Sequence, residues 1–238
     1  MLTEIACYSR DSTFKDILLT IFTSSEQGID CVALPSGFMS RVQDFIKDQT
    51  FAAVIDFPYG ISTTQIRLHE ILLAIRHGAS FIDLVLNPSY IKEGSWKKVE
   101  EDLKTCLTIC KQNEVVLRPI LEYKLFEPKE VLTVCEILEK YTVTTLINST
   151  GSIIDEPSDN AIICHSIQKN TDISVISCSN RITPKYFDIF SNMGIEGFRF
   201  TSSSIAKTIL SNGVYYSGWD SYRRKKRTSA GHKQIARK

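Results

Sequence analysis

The sequence predicts a single (β/α)8 barrel, and three observations support this fold class. Short apolar runs recur about every 25 residues along the 238-residue chain, with helix-like segments between them. Most runs are continuous rather than alternating, as in parallel strands buried on both faces. No GxGxxG turn follows the first run, which counts against the alternative, an open doubly wound sheet with the same local pattern.

Eight strands are expected in chain order, near 4–8, 30–34, 52–57, 81–86, 115–121, 143–148, 173–178 and 196–201. About eight helices alternate with them. The clearest helix, 96–111, places six side chains on one face: Trp96, Val99, Leu103, Cys106, Leu107 and Cys110. Gly78 follows helix 63–77 at the usual stop position, and Pro128 opens helix 128–140.

The distribution of charged residues divides the chain into two parts. The formal net charge of the whole chain is +1, from 28 Lys and Arg against 27 Asp and Glu. Residues 220–238 hold eight Lys or Arg and one Asp, whereas 1–219 hold 20 basic and 26 acidic residues. We therefore expect a mildly acidic barrel over 1–219 and a basic, disordered tail over 220–238.

Composition narrows the class of protein. Apolar residues make up 43% and charged residues 23%, which excludes collagen-like, mucin-like and wholly disordered chains. No apolar run is long enough to span a bilayer, and the N-terminus lacks a secretory signal pattern. The seven cysteines are odd in number with no C-x-x-C pair, which favours buried thiols over disulfides or zinc. We expect a cytoplasmic protein, with nuclear access through RRKKR at 223–227.

Polar residues follow or interrupt the predicted strands at their carboxyl ends, where barrel enzymes place their chemistry. Asp83 interrupts strand four, and Arg118 and Glu122 share the parity of one face on strand five. These three either form a buried ion cluster or line a polar pocket. Strand six ends in Ser149-Thr150-Gly151 and strand eight in Thr201-Ser202-Ser203-Ser204. Together these two turns predict a phosphate site, with Ser203 and Ser204 at a helix start.

The same residues resemble the deoxyribose-phosphate aldolase family, class I aldolases on a (β/α)8 barrel. The resemblance covers about 28–210. It rests on FPYG at 57–60, Glu70, GASFIDLVLN at 78–87, GSW at 94–96, ILE at 120–122, STG at 149–151 and FRFTSSS at 198–204. It implies reversible cleavage of 2-deoxyribose 5-phosphate to acetaldehyde and glyceraldehyde 3-phosphate. It also implies a homodimer as a candidate assembly.

The resemblance also implies catalytic positions, and this chain departs from most of them. The strand-six Schiff-base lysine corresponds to Ile147, the strand-seven lysine to Ile176, and the strand-five lysine to Arg118. The strand-four aspartate of the proton relay corresponds to Asp83. A Gly-Gly phosphate turn after strand seven is replaced by Ser179-Asn180, and a strand-eight glycine by Thr201.

These departures remove the ordinary chemistry. A Schiff base needs an unprotonated primary amine, which isoleucine lacks and a permanently protonated guanidinium cannot supply. Lys124 and Lys92 are candidates for a relocated nucleophile, although both are expected at the surface. Cys178 has no histidine placed as its base. Asp56, Asp83 and Glu122 form a magnesium alternative, with which Arg118 would compete. We expect no metal and no cofactor.

Three hypotheses follow. The first is an aldolase-like barrel without Schiff-base cleavage that binds a small phosphorylated sugar or a protein. The second is an active aldolase, a carbon-carbon lyase, that uses a relocated lysine. The third is a scaffold that docks an acidic protein or other polyanion through the 220–238 tail. Thr228 and Ser229 directly follow RRKKR and are candidates for phosphorylation.

Overall fold

The computed structural model describes residues 1–9, 11–45 and 49–211, and it forms a closed barrel of eight parallel strands in chain order. The strands are β1 Leu2–Ala6, β2 Cys31–Pro35, β3 Phe51–Ile55, β4 Phe81–Val85, β5 Val116–Ile120, β6 Thr145–Ile147, β7 Ser174–Ser179 and β8 Gly197–Phe200. Pairing of β1 with β8 closes the barrel. The predicted fold class is therefore confirmed, and the open-sheet alternative is wrong.

Eight α-helices surround the strands within the described ranges. They are α1 Phe14–Gln27, α2 Thr64–Arg76, α3 Pro88–Lys92, α4 Trp96–Gln112, α5 Pro128–Lys140, α6 Pro157–Asn170, α7 Pro184–Asn192 and α8 Ser203–Ser211. The predicted bounds of α5 are confirmed, and those of α2 and α4 differ by one residue at the ends. In the connection from β2 to β3, the described helical turns are 3-10, at Ser36–Arg41 and Gln43–Phe45.

Strand alternation divides the apolar side chains into two groups. The larger group packs between the strands and the helices, and its aromatic members Phe187, Phe190, Phe198 and Phe200 contact one another across α7 and β8. The smaller group fills the barrel interior, with Ile120, Ile147 and Ile176 on neighbouring strands. The interior is therefore a packed core rather than an open channel.

Local capping signals set several helix ends. Thr13 and Asp16 form a reciprocal capping box at the start of α1, and Glu127 and Glu130 do so at α5. Gly78 follows α2 with φ of 86°, a left-handed conformation that favours glycine. The sequence-based prediction of a helix stop there is confirmed.

The loop after β3 is held by a close approach at Gly60. Its φ is 67°, and a Cβ at this position would lie 2.6 Å from the Leu86 carbonyl oxygen and 2.9 Å from Val85 Cγ1. The Gly60 carbonyl also accepts a hydrogen bond from the buried Arg67 guanidinium. Two constraints, backbone conformation and space, therefore require glycine here.

Gly60→Ala should lower the free energy of unfolding by about 3 kcal/mol, because it combines left-handed strain of about 1–2 kcal/mol with overpacking. Gly194→Ala is the matched control. Its φ is 71°, and no atom lies within 4 Å of the added Cβ, so only the strain applies. Urea denaturation measures the free energy of unfolding of both variants. Equal losses of stability would contradict a role for the close approach of Gly60 to Val85 and Leu86.

Candidate functional site

A network of four buried charged side chains occupies the barrel interior. It joins Glu4 of β1, Asp83 of β4, Arg118 of β5 and Arg199 of β8. Arg118 Nε donates to Asp83 Oδ1 at 2.7 Å, and its Nη1 donates to Glu4 Oε1 at 2.6 Å. Arg199 Nη2 donates to Asp83 Oδ2 at 2.6 Å and to Glu4 Oε2 at 2.5 Å. Each guanidinium therefore bridges both carboxylates.

Asp83 is closed off by these contacts. It is 0% exposed, and both of its carboxylate oxygens accept hydrogen bonds from guanidinium groups. Two residues after Glu4, Asp83 and Arg118, each strand places an apolar side chain in the barrel interior. These side chains are Ala6, Val85 and Ile120, and they lie on the side of the network toward the barrel mouth. The aspartate that the resemblance assigns to a proton relay thus lies below an apolar layer, within an ion cluster.

Electrostatics favours the charged forms of Glu4 and Arg118 in this network. Burial alone would raise the pKa of Glu4, but attraction and hydrogen bonds from Arg118 and Arg199 outweigh it and lower that pKa. Burial disfavours the charged guanidiniums, yet contacts with Asp83 and Glu4 hold the pKa of Arg118 above its ordinary value. Two carboxylates and two guanidiniums balance, so the cluster is neutral overall.

Arg118 and Arg199 have further contacts that fix their orientation. Arg118 lies over the Phe81 ring, 4.1 Å from its centroid. Arg199 Nη1 donates to the Tyr8 hydroxyl at 2.8 Å, and the Tyr8 ring packs against Phe57 at 4.6 Å between centroids. The aromatic rings therefore extend the network toward the loop after β3.

The two positions assigned to lost lysines lie in the apolar layer. Ile147 and Ile176 are each 0% exposed and face each other in the register of β6 and β7. They pack with Val54, Val85 and Ile120 in the interior cluster. Among the described residues every lysine is exposed. The described part of the chain therefore places no lysine amine in the barrel interior.

The two lysines considered as replacements lie outside the barrel. Lys124 Nζ pairs with Asp159 at 2.7 Å, and Lys92 Nζ pairs with Glu130 at 3.4 Å. Each amine belongs to an ion pair at the protein surface, between residues that lie outside the strands. This geometry favours the expected surface role over a relocated nucleophile.

Glu122 belongs to a different set of contacts from the one expected. β5 ends at Ile120, so Glu122 lies beyond the strand and does not join Asp83 and Arg118; that part of the predicted trio is wrong. Its carboxylate accepts from Ser149 Oγ at 2.8 Å, from Thr150 N at 3.1 Å and from the Thr150 hydroxyl. Burial raises the pKa of Glu122 despite these bonds.

The two turns considered for phosphate lie next to each other. A Cβ at Gly151 would lie 2.6 Å from Thr201 Cγ2. The hydroxyls of Ser149 and Thr150 are buried and directed to the Glu122 carboxylate. Ser203 Oγ lies 3.4 Å from Thr20 Oγ1, and Ser204 Oγ lies 2.8 Å from Ser202 Oγ. The Ser149 and Thr150 hydroxyls thus already donate to the Glu122 carboxyl group and are not free to bind a phosphate.

Sequence reasoning missed two members of the ion network, Glu4 and Arg199. Both are charged residues inside apolar strand runs, the signal that singled out Asp83 and Arg118. It also missed a second buried group, in which Arg67 pairs with Asp56 at 2.9 Å and with Asp102. Counting every charge within a strand or on a helix's apolar face would have found all of them.

The alternative chemistries receive no geometric support from the described residues. They hold no group of three or more His, Cys, Asp or Glu side chains able to share a metal ion. Asp56, Asp83 and Glu122 have separate partners, so the structure does not bring these three carboxylates together as the magnesium alternative requires. Cys178 is 0% exposed, and burial raises the pKa of its thiol. The search of the described helices finds none that could cross a bilayer.

The basic tail 220–238, with RRKKR, Thr228 and Ser229, lies outside the described residues. The polyanion, nuclear and phosphorylation hypotheses that depend on it therefore stay predictions.

Comparison with solved structures supports the (β/α)8 barrel fold. No family model matches the chain. The solved structure "QR15, an Aldolase" superposes with a TM-score of 0.78 at 23% identity, covering 88% of this chain and 94% of its own. The tetrameric deoxyribose phosphate aldolase of Aeropyrum pernix superposes at 0.77 with 16% identity, covering 89% and 90%. At these identities the structures support the fold alone.

Curated relatives make the assignment more specific. The deoxyribose-phosphate aldolase of Mycoplasmopsis pulmonis is 32% identical over 139 residues, 58% of this chain and 62% of that protein. The one from Mannheimia succiniciproducens is 39% identical over 98 residues, 41% and 43% of the two chains. The chain thus spans less than two thirds of these relatives. In sequence the chain is similar to deoxyribose-phosphate aldolases over these ranges, and in fold it is similar to solved aldolase barrels.

Arg118→Met should lower the free energy of unfolding by about 3–5 kcal/mol, because it leaves buried carboxylates with one guanidinium. Arg181→Met is the control. The Arg181–Glu156 pair is 52% and 60% exposed, so its loss should cost under about 1 kcal/mol. Chemical denaturation at neutral pH compares them. Similar losses for the two variants would contradict a structural role for the buried network.

The stability of the wild-type protein should fall as the pH drops below about 4.3, the usual carboxyl range. A lowered pKa in the folded state stabilises the fold above the unfolded-state pKa, and protonation removes that contribution. In Arg118→Met the free energy of unfolding should fall less steeply with decreasing pH, because the attraction from Arg118 no longer lowers the Glu4 pKa. Denaturation from pH 7 to pH 3 tests this, and parallel declines would count against it.

Proposed function

We propose that this chain is a deoxyribose-phosphate-aldolase-like barrel without Schiff-base aldol cleavage, and that it acts as a protein-interaction module. The observation that carries the proposal is the barrel interior, where Asp83 is held by Arg118 and Arg199 below an apolar layer that includes Ile147 and Ile176. A Schiff-base mechanism needs an amine at that place, and apolar side chains fill it instead.

The absence of a free general acid or base at Asp83 supports the same proposal. A group that relays protons must come within hydrogen-bond distance of the substrate. Asp83 is fully buried, and its oxygens already bind two guanidiniums that remain protonated. Releasing it for a sugar would leave two buried guanidiniums with only one carboxylate, Glu4, at a cost of several kcal/mol.

The 149–151 turn argues for a protein rather than a sugar phosphate as partner. The Ser149 and Thr150 hydroxyls donate to Glu122, so a phosphate entering that turn would have to displace a buried carboxyl group from them. Loops at the same end of the barrel instead expose apolar side chains, with Ile61 64% and Ile154 63% exposed. Exposed apolar groups among polar ones are typical of protein-binding surfaces.

We expect no borohydride-trapped adduct when the protein is incubated with 2-deoxyribose 5-phosphate, because no lysine among residues 1–9, 11–45 and 49–211 lies in the barrel interior. Peptide mapping after reduction would locate an adduct on any lysine, including Lys124 and Lys92. An active deoxyribose-phosphate aldolase, treated in parallel, shows that the trapping works. An adduct on a lysine of this chain, with release of acetaldehyde, would establish the relocated-lysine alternative and reject the proposal.

Calorimetric titration distinguishes a protein that binds a sugar phosphate from one that binds only proteins. We expect no heat of binding from 2-deoxyribose 5-phosphate or from inorganic phosphate at ligand concentrations up to about 1 mM. A Kd of 1 mM corresponds to a binding free energy of about −4 kcal/mol, so any weaker binding would not be detected. Saturable binding of the sugar phosphate that Glu122→Gln strengthens would support the phosphometabolite version and contradict the protein-interaction role. Ser158→Gln, at an exposed position outside the turn, is the control.

A further inference from the structure

Four exposed side chains of helix α1 form a symmetric pattern on its outward face. Leu19 and Phe22 are each 58% exposed, and Lys15 and Glu26 are exposed as well. At about 3.6 residues per turn, the four positions fall within about 60° of arc, opposite the buried face of the helix. Both pairs are centred on the same point, midway between residues 20 and 21. The outward face therefore carries two apolar side chains at its centre and one charge of each sign at equal distances on either side.

Both flanks of α1 contact neighbouring elements, and the outward face lies between them. On one flank, Thr20 Oγ1 lies 3.4 Å from Ser203 Oγ of α8. On the other flank, the Arg41 guanidinium of the 3-10 turn lies over the Phe14 ring, 4.6 Å from its centroid. No element of the described ranges covers the outward face, where the apolar side chains stay more than half exposed. Exposed apolar side chains that lie together among polar ones are typical of a protein-binding surface.

The two charges of this face lie at the unfavourable ends of α1. The helix spans Phe14–Gln27, so Lys15 is its second residue and Glu26 its last but one. The helix dipole favours acidic side chains in the first turn and basic side chains in the last turn. Interactions within α1 therefore do not account for a lysine at its start and a glutamate at its end. A partner that brings the opposite charge to each end would account for both.

A second copy of the same helix is such a partner. Two α1 helices can pack antiparallel about a two-fold axis that passes between residues 20 and 21. Leu19 of one copy then lies opposite Phe22 of the other. Lys15 and Glu26 are about 16.5 Å apart along the helix axis, so the same register also places Lys15 of each copy opposite Glu26 of the other. Because a two-fold contact repeats itself, this arrangement forms two ion pairs and two apolar pairs.

We propose that the outward face of α1 is a self-complementary surface, through which two copies of this chain form an antiparallel two-fold dimer. The match of charge and apolar positions in a single register favours a second copy over an unrelated partner. The dimer goes beyond the proposed function and does not depend on it, because it involves neither Asp83 nor the barrel interior.

The size of the contact sets its strength. A standard protein interface buries about 800 Å² on each partner, whereas one aromatic side chain contributes about 150–250 Å². A contact made by one helix face is therefore at the small end of protein interfaces. We expect a reversible dimer with a dissociation constant of about 1–100 µM.

Sedimentation velocity of the full-length protein tests the dimer. Between about 1 and 300 µM we expect the monomer to convert to a dimer as the concentration rises. Leu19→Ser with Phe22→Ser should raise the dissociation constant at least about tenfold, because the apolar pairs at the centre are lost. Ile66→Ser with Ile162→Ser is the matched control, since these side chains are 57% and 67% exposed on α2 and α6. The control pair should leave the dissociation constant unchanged, and circular dichroism confirms that every variant is folded.

Exchange of the two charges tests the antiparallel register. Lys15→Glu or Glu26→Lys alone should raise the dissociation constant about tenfold at low salt, because each places like charges opposite each other twice. Lys15→Glu combined with Glu26→Lys restores opposite charges, so its dissociation constant should return to within about threefold of the wild-type value.

Three results would overturn the proposal. The first is a wild-type chain that stays monomeric over the whole concentration range. The second is a dimer that Leu19→Ser with Phe22→Ser leaves intact, because another surface would then form it. The third is a double charge exchange that dimerises as weakly as the single variants, because the antiparallel register requires it to restore both ion pairs.

Discussion

The bridging of two carboxylates by two guanidiniums inside the barrel is the interaction on which the rest of the structure depends. Glu4, Asp83, Arg118 and Arg199 belong to β1, β4, β5 and β8, so the network ties strands across the interior. Each charge is buried and has at least two oppositely charged contacts. Removing one member leaves the others uncompensated in a low-dielectric site, which constrains all four positions together.

The apolar layer follows from that constraint. A neutral ion cluster is stable in a barrel only if water cannot separate its members, and residues such as Ile120, Ile147 and Ile176 form a dry layer on its mouth side. An ammonium group among these isoleucines would carry a charge without a carboxylate to pair with, since Glu4 and Asp83 are fully used. Isoleucine at 147 and 176 is therefore consistent with the network below it.

Periodicity predicted the architecture well, because alternation and helical spacing are local properties of the sequence. The strands were located to within about two residues, and α5 in full. The site was predicted less completely. Strand parity grouped Glu122 with Arg118, but β5 ends at Ile120 and the chain turns away, so Glu122 meets Ser149 and Thr150 instead. The contact of Arg199 with Glu4 spans 195 residues, and no local pattern encodes it.

Arginine at position 118, where the resemblance implies a lysine, has its own chemical consequence. A lysine ammonium is a compact point charge that can leave one carboxylate oxygen of an aspartate open to a substrate. The planar guanidinium of Arg118 binds Asp83 through Nε and Nη2, one bond to each oxygen, at 2.7 and 3.0 Å. Arg199 adds a third bond. An aspartate held in this way is a structural anion, so Arg118 supports the proposed absence of Schiff-base cleavage from the acid-base side, as Ile147 supports it from the nucleophilic side.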